Sequence, residues 1–316
     1  MYMPRVFGLW QSGVKFSAHY TAAVACTPAR GTLISGLYSQ QSWLAQTITA
    51  KKPTDTTSQQ PQLNPAYPTY GSLLREAGHT TPYIGKWHVS ILNPKEPGLG
   101  LEPYGFTGRV YPDPTGSNLQ GTVGDPQNGY LSDGVTAEVA SDYLGRRRPD
   151  DAPWCLTVSF VNPHDKEFFW GGTEFQTYND LFAGKPLKQF IPYSTDGHPP
   201  IVSWDADLLK DPQPQGYAPV PPNWESAVRV AAEKPSTQTF VRGFSEAVWG
   251  GASDDQQAGF HVVPYPVPTL GIGIGKAPYS YWSRGLDCYT QTLSIVDGRI
   301  GQVLDALPAD VAQNTV

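Results

Sequence analysis

The stretch Ala23–Tyr38, AVACTPARGTLISGLY, decides how this chain is read. After Thr27-Pro28 it turns into small and apolar residues, with Leu33, Ile34 and Leu37 at helical spacing. Proline is well tolerated in a first helical turn, so the pattern predicts a helix with Cys26 near its N-terminus. The exposed amides and the dipole at such an end favour negative charge. Arg30 follows four residues on, which puts it on the same face one turn away. A nucleophile and a cation are therefore expected to look out from one helix end. A Cys-x-Pro-x-Arg match is expected roughly 0.01 times from the chain's own composition. The competing reading is a buried structural cysteine before a helix, since free cysteine is among the most buried residue types.

A second block lies about fifty residues on. It is Gly78–His88, GHTTPYIGKWH: a glycine, a short strand, then Gly-Lys-Trp-His. A third is Trp154–Val161, WCLTVSFV, an apolar run that suits a central strand of a parallel sheet and runs straight into Asn162-Pro163-His164. The first two blocks, in this order, resemble the two signatures of the sulfatase family. Cys26, Pro28, Arg30 and Gly36 match the first, and Gly85-Lys86-Trp87-His88 the second. Asn162-Pro163-His164 resembles a third family feature at the end of a core strand. The family often has proline two residues after that histidine, where this chain has Lys166.

Composition sets limits on other readings. The chain has 316 residues, a net charge of −6 and only 16% charged residues, which argues against non-specific nucleic-acid binding. An anionic substrate would need a local cationic pocket. Aromatic residues at 12% supply core, while 32 Gly and 31 Pro point to a loop-rich globular protein. Three cysteines, Cys26, Cys155 and Cys288, are too few and scattered for a disulfide framework, and the latter two read as core residues. No apolar run reaches the length of a membrane span, and no signal peptide is visible.

Local signals place further elements. Residues 4–12 read as a short helix with Val6, Phe7 and Trp10 at helical spacing, closed by Gly13, with a brief extended piece at Val14–Phe16 after it. Residues 46–66 and 93–130 read as loop. Thr69 caps a helix through Ala77 that turns Leu73 and Leu74 inward and stops at Gly78, and Thr80–Ile84 is a strand. Ser132 or Asp133 opens a helix through Arg147, ending in Arg146-Arg147-Arg148, which read as a solvated run that suits the helix dipole. Residues 166–280 read as an irregular insert forming a substrate rim, with Asp254-Asp255 as surface loop. Trp282–Leu307 carries Leu286, Tyr289, Leu293, Val296, Ile300, Val303 and Leu307 along one helical stripe, stopped by Pro308. The reading is one domain over residues 1–316.

The resemblance implies the rest. The fold would be an alkaline-phosphatase-like α/β three-layer sandwich with a mostly parallel central sheet. Cys26 would be oxidised to formylglycine by a maturation enzyme, Arg30 would hold its hydrate and the metal-bound oxyanion, and Lys86 would bind sulfate oxygens. His88 would bind a formylglycine hydroxyl. His164 is the candidate general acid for the leaving oxygen, a role that suits an imidazole near neutrality. One divalent cation, usually calcium, would bind Cys26 in its formylglycine form and carboxylates from a strand before Met1 and a strand after Val316. This stretch alone is therefore expected to bind calcium weakly and to lack turnover. The expected reaction is hydrolysis of a sulfate ester, of a small molecule or of a carbohydrate, in a periplasmic or secreted parent protein. A phosphodiester or phosphonate-ester hydrolase of the same superfamily and a non-catalytic binding module are the alternatives. His19, His79, His198 and His261 match no motif.

Overall fold

Strands β1 (Tyr83–Gly85) and β2 (Thr157–Ser159) pair in parallel, and both expected histidine-bearing segments leave their C-terminal ends. The computed structural model describes residues 2–48, 61–91, 99–108, 126–164, 188–189, 219–249, 251–259, 261–264 and 272–316. They belong to two compact units, Met1–His164 with Leu293–Val316, and Asp165–Thr292. The expectations for residues 49–60, 92–98 and 109–125, for Lys166, His198 and much of the insert, and for the side chain of Cys288 lie outside the described residues.

In the first unit the strand pair is covered on both faces. Side chains alternate along a strand, so Tyr83 and Ile84 face opposite ways and enter different clusters. Tyr83 packs with Ile34, Leu44, Leu63, Trp87, Val89, Leu101, Tyr104 and Phe106. That face receives helices α2 (Cys26–Ser35) and α4 (Tyr70–Glu76), with the short α3 (Ser39–Ser42) between them in sequence. Ile84 packs with Ala137, Ala140 and Leu144 of α5 (Pro126–Gly145) and with Val303. Val303 belongs to the long helix that is α8 below (Tyr281–Asp305), and it lies in that helix's first-unit half. Helix, parallel strands and helix thus stack in the order expected of the α/β sandwich.

Where local chemistry decides, expectation and structure agree. Thr69 caps α4 by accepting from the Ser72 amide at 3.0 Å, and Gly78 follows in the left-handed region at φ 87. Gly36 ends α2 in the same way at φ 73, its amide donating to Thr32 O at 2.8 Å. Helix α1 (Pro4–Ser12) forms, but its apolar stripe is not buried. It is instead held from its N-terminus, where Asp297 accepts from the amides of Arg5 at 3.0 Å and Val6 at 2.9 Å.

Several expectations are corrected. Leu73 faces solvent rather than the core, as do Leu33 of α2 and Tyr289 of α8. Helix α5 begins at Pro126, not at Ser132 or Asp133, and ends at Gly145. Proline at a first helical position is the start signal there. Strand β1 is the fully buried one, while β2, which reads as the more apolar, is half-buried and has one strand partner among the described residues. Arg147 is not simply solvated: it lies 4.3 Å over the Tyr143 ring and pairs with Asp151 at 3.3 Å. Residues 99–104 form a turn of 3-10 helix rather than loop.

The second unit has regular structure where the sequence reads as irregular. Strand β3 (Lys188–Gln189) and β4 (Gly251–Ala252) pair in parallel with β6 (Ile272–Ala277), and β5 (His261–Pro264) pairs with it antiparallel. Helices α6 (Ala227–Glu233) and α7 (Ser236–Trp249) precede β4. Asp254 is pinned rather than loose on the surface, accepting from Arg242 Nη2 at 3.0 and 3.2 Å. The chain closes the first unit with the end of α8 and a short α9 (Ala309–Ala312) after Pro308.

Candidate active site

Cys26 is the first residue of α2, preceded by Ala25 in extended conformation with no side-chain cap. Its sulfur therefore sits at the positive end of that helix. Lys86 reaches it from the residue after β1, with Nζ 3.8 Å from Sγ. His164 reaches it from the turn after β2, with Nε2 3.7 Å from Sγ. His88 acts on the thiol as a polar neighbour. Burial pushes the Cys26 thiol up, but the bond to His164, the neighbouring His88 ring and the charges of Lys86 and His164 outweigh it. The thiol is lowered from its ordinary 9.0 to about 5.

His88 is fully buried and sits in the left-handed region at φ 57. A histidine there is held by its surroundings. Its Nε2 donates to Ile48 O at 2.8 Å, which assigns the proton of a neutral ring to Nε2 and leaves Nδ1 as a lone pair. That Nδ1 is buried with no partner at ordinary hydrogen-bond distance. Its influence on the Cys26 thiol is thus that of a neighbour at longer reach. Thr27, also fully buried, ties the same corner together: its hydroxyl donates to His88 O at 2.9 Å and accepts from Ile48 N at 3.0 Å.

Arg30 braces the second motif. Its Nε donates to Trp87 O at 2.6 Å, and its Nη2 to Tyr83 Oη at 2.6 Å, to Ser159 Oγ at 2.9 Å and to Lys86 O. The guanidinium therefore holds the backbone of the Lys86–His88 turn. Lys86 and His164 meet at Cys26 with His88 as a neighbour, and Arg30 braces the turn that carries Lys86 and His88. Thr27, Ile48, Ser159 and Tyr83 escape sequence reading. Their signal is burial of a polar group, which appears only after folding.

The β1–β2 pairing sets this geometry. Gly85 ends β1 at φ 105, and a Cβ there would lie 2.1 Å from Ser159 O, so only glycine permits the approach. The Lys86 amide then donates to the same Ser159 O at 2.9 Å. On β2, Asp133 of α5 accepts from the amides of Val161 at 2.6 Å and Asn162 at 2.9 Å just before His164.

Among the described residues, the groups around Cys26 are imidazole and ammonium, with no carboxylate to hold a metal. A cysteine-derived group would find two imidazoles and an ammonium around it. No carboxylate acts on Cys26, and among the described residues no cluster of three or more His, Cys, Asp or Glu able to hold a metal occurs. A hard divalent cation needs such oxygen ligands. Among the described residues, no helix is long and apolar enough to cross a membrane.

A thiol at a helix start, with an ammonium and two imidazoles near it at the C-terminal ends of parallel strands, lies where ligands bind in α/β folds. The family model described as Sulfatase matches residues 1–316, and the chain belongs to that family. It is 29% identical over 172 residues to the uncharacterized sulfatase YidJ of Escherichia coli, covering 48% of this chain and 31% of that protein. It is 24% identical over 227 residues to an N-acetylglucosamine-6-O-sulfatase of Bacteroides thetaiotaomicron, covering 65% of this chain and 36% of that protein. Among solved structures, one described as a sulfatase from Bacteroides thetaiotaomicron superposes with a TM-score of 0.53 at 18% identity, over 97% of this chain and 49% of that one. A phosphonate monoester hydrolase of Agrobacterium radiobacter gives 0.50 at 16% identity, over 96% of this chain and 54% of that one. The chain thus spans about a third of the length of these curated relatives and about half that of the solved structures.

Proposed function

We propose that the parent protein hydrolyses sulfate esters, carbohydrate sulfates foremost, at Cys26. The observation that carries this is the convergence of Lys86 and His164 on the Cys26 sulfur from two parallel strands. The relationship to an N-acetylglucosamine-6-O-sulfatase supports the substrate class. Conversion of Cys26 to formylglycine by a maturation enzyme would supply a hydrated aldehyde, with one hydroxyl to attack sulfur and one to release the product. Lys86 would neutralise the sulfuryl oxygens. The Nδ1 lone pair of His88 would accept a proton from a hydroxyl on the residue-26 side chain. His164 Nε2 would deliver a proton to the leaving ester oxygen, the step a general acid accelerates most. Arg30 would keep Lys86 and His88 in register. Family resemblance adds a divalent cation, calcium, whose carboxylates the described residues do not assemble, and no step here passes through it. Export to the periplasm or the exterior belongs to the same reading.

The test has two parts. Coexpression with a formylglycine-generating enzyme should lower the mass of the Cys26 peptide by about 18 Da. Within the full-length parent protein, the converted site should hydrolyse an aryl sulfate faster than the matching aryl phosphonate ester, and Cys26→Ala should abolish both activities. A peptide that stays fully thiol-bearing contradicts the nucleophile. Preference for the phosphonate would replace the sulfatase reading with that of an ester hydrolase of the same superfamily, whose core would hold either tetrahedral anion alike.

A further inference from the structure

Asp133 has a place that no motif accounts for. It lies inside α5, fully buried, where a carboxylate is costly unless it is bonded. Both of its oxygens face the exit of β2: Oδ1 accepts from the Val161 amide at 2.6 Å and Oδ2 from the Asn162 amide at 2.9 Å. Two bonds from consecutive amides to one carboxylate fix the direction in which the backbone leaves the strand, and bonds to an ionised acceptor are the stronger kind. Two residues later the chain delivers His164, whose amide donates back to Val161 O at 3.2 Å and whose Nε2 stands 3.7 Å from Cys26 Sγ. The path from carboxylate to imidazole is one short turn with no other support from α5 on its amides among the described residues.

We propose that Asp133 is a positioning residue that aims His164 at residue 26. In catalysis this rests on the reading of His164 as the acid for the leaving oxygen, but the placement itself can be tested without substrate. Removing the charge in Asp133→Asn, whose amide can accept at only one atom, frees one backbone amide and lets the turn move. The imidazole then leaves the residue-26 side chain, and transition-state protonation weakens more than ground-state binding, so kcat falls with KM little changed.

The experiment uses the whole chain with Cys26 unconverted and histidine ring nitrogens labelled for NMR. In the native protein, Cys26→Ser should shift the His164 ring signals. In the Asp133→Asn background most of that response should be lost, while Asp142→Asn, an exposed partner of Arg146 on the same helix, should preserve it. Asp133→Glu, which keeps the charge but moves it by one methylene, should give a partial loss. An undiminished response in Asp133→Asn overturns the proposal. Should that variant not fold, hydrogen exchange in the native protein decides: the Val161 and Asn162 amides should exchange as slowly as those of β1, and loop-like exchange at both overturns it. Failure to hydrolyse any sulfate ester would remove the functional reading and leave these results standing.

Discussion

Arg30 Nε donates a 2.6 Å hydrogen bond to the carbonyl of Trp87, so the arginine of the first motif holds the backbone of the second. The two motifs are one structural unit. Lys86 can approach Cys26 because its own carbonyl is held from behind by the same guanidinium and by Tyr83 Oη, which donates to it at 2.7 Å.

Arg30→Lys should therefore cost about 2–3 kcal/mol in stability, because an ammonium cannot serve several acceptors in one plane and leaves buried carbonyls unbonded. Urea unfolding measures it. A variant as stable as the native chain would mean that water replaces the guanidinium without loss.

The unconverted thiol should titrate low. With Cys26 at about 5 in the folded protein against an ordinary 9.0, the unfolded chain binds more protons between those values. Stability contributed by this group therefore rises with pH across that window, is complete above the upper value, and is lost as pH falls through the lower one. Iodoacetamide alkylation of Cys26 should show its midpoint near the lower value. The difference in Tm between native chain and Cys26→Ala should grow from acid toward neutral pH. Parallel pH dependences of the two melts would contradict the assignment.

Gly85→Ala should be severely destabilising, by about 3 kcal/mol or more, since the added methyl meets backbone and the residue has positive φ. Thermal melts of the variant check this. A native Tm would show that β1 and β2 can part without loss.

Thr27→Val keeps the shape of the side chain and removes both of its hydrogen bonds, leaving the Ile48 amide and the His88 carbonyl buried. The expected loss is about 1–3 kcal/mol. Weakened restraint on His88 should also broaden its ring signals in NMR. Sharp, unshifted signals would assign Thr27 to packing alone.

Signals carried by neighbours in the chain were legible. Pro28 in the first turn of α2, Thr69 before α4, Gly36 and Gly78 in the left-handed region and Pro308 after α8 all act within a few residues, so their effect is written into local order. Cys26, Lys86, His88 and His164 could be picked out because motif order and spacing mark them. Burial was harder to read. Leu73 and Leu33 have the spacing of a core stripe and face solvent, because which stripe is covered depends on the partner that arrives. The regular sheet of the second unit was missed because its short strands are interrupted by glycine and proline and so lack a clear period.

By itself, the sequence determined the family, the starts of α1, α2 and α4 and the residues able to do chemistry, since each depends on identities within a few positions. Only the tertiary structure decided that Arg30 braces the turn carrying Lys86 and His88, and that Asp133 caps a strand exit rather than opening a helix. Both side chains have several possible partners of similar chemistry, and the choice among them is made by distance, which the fold alone supplies.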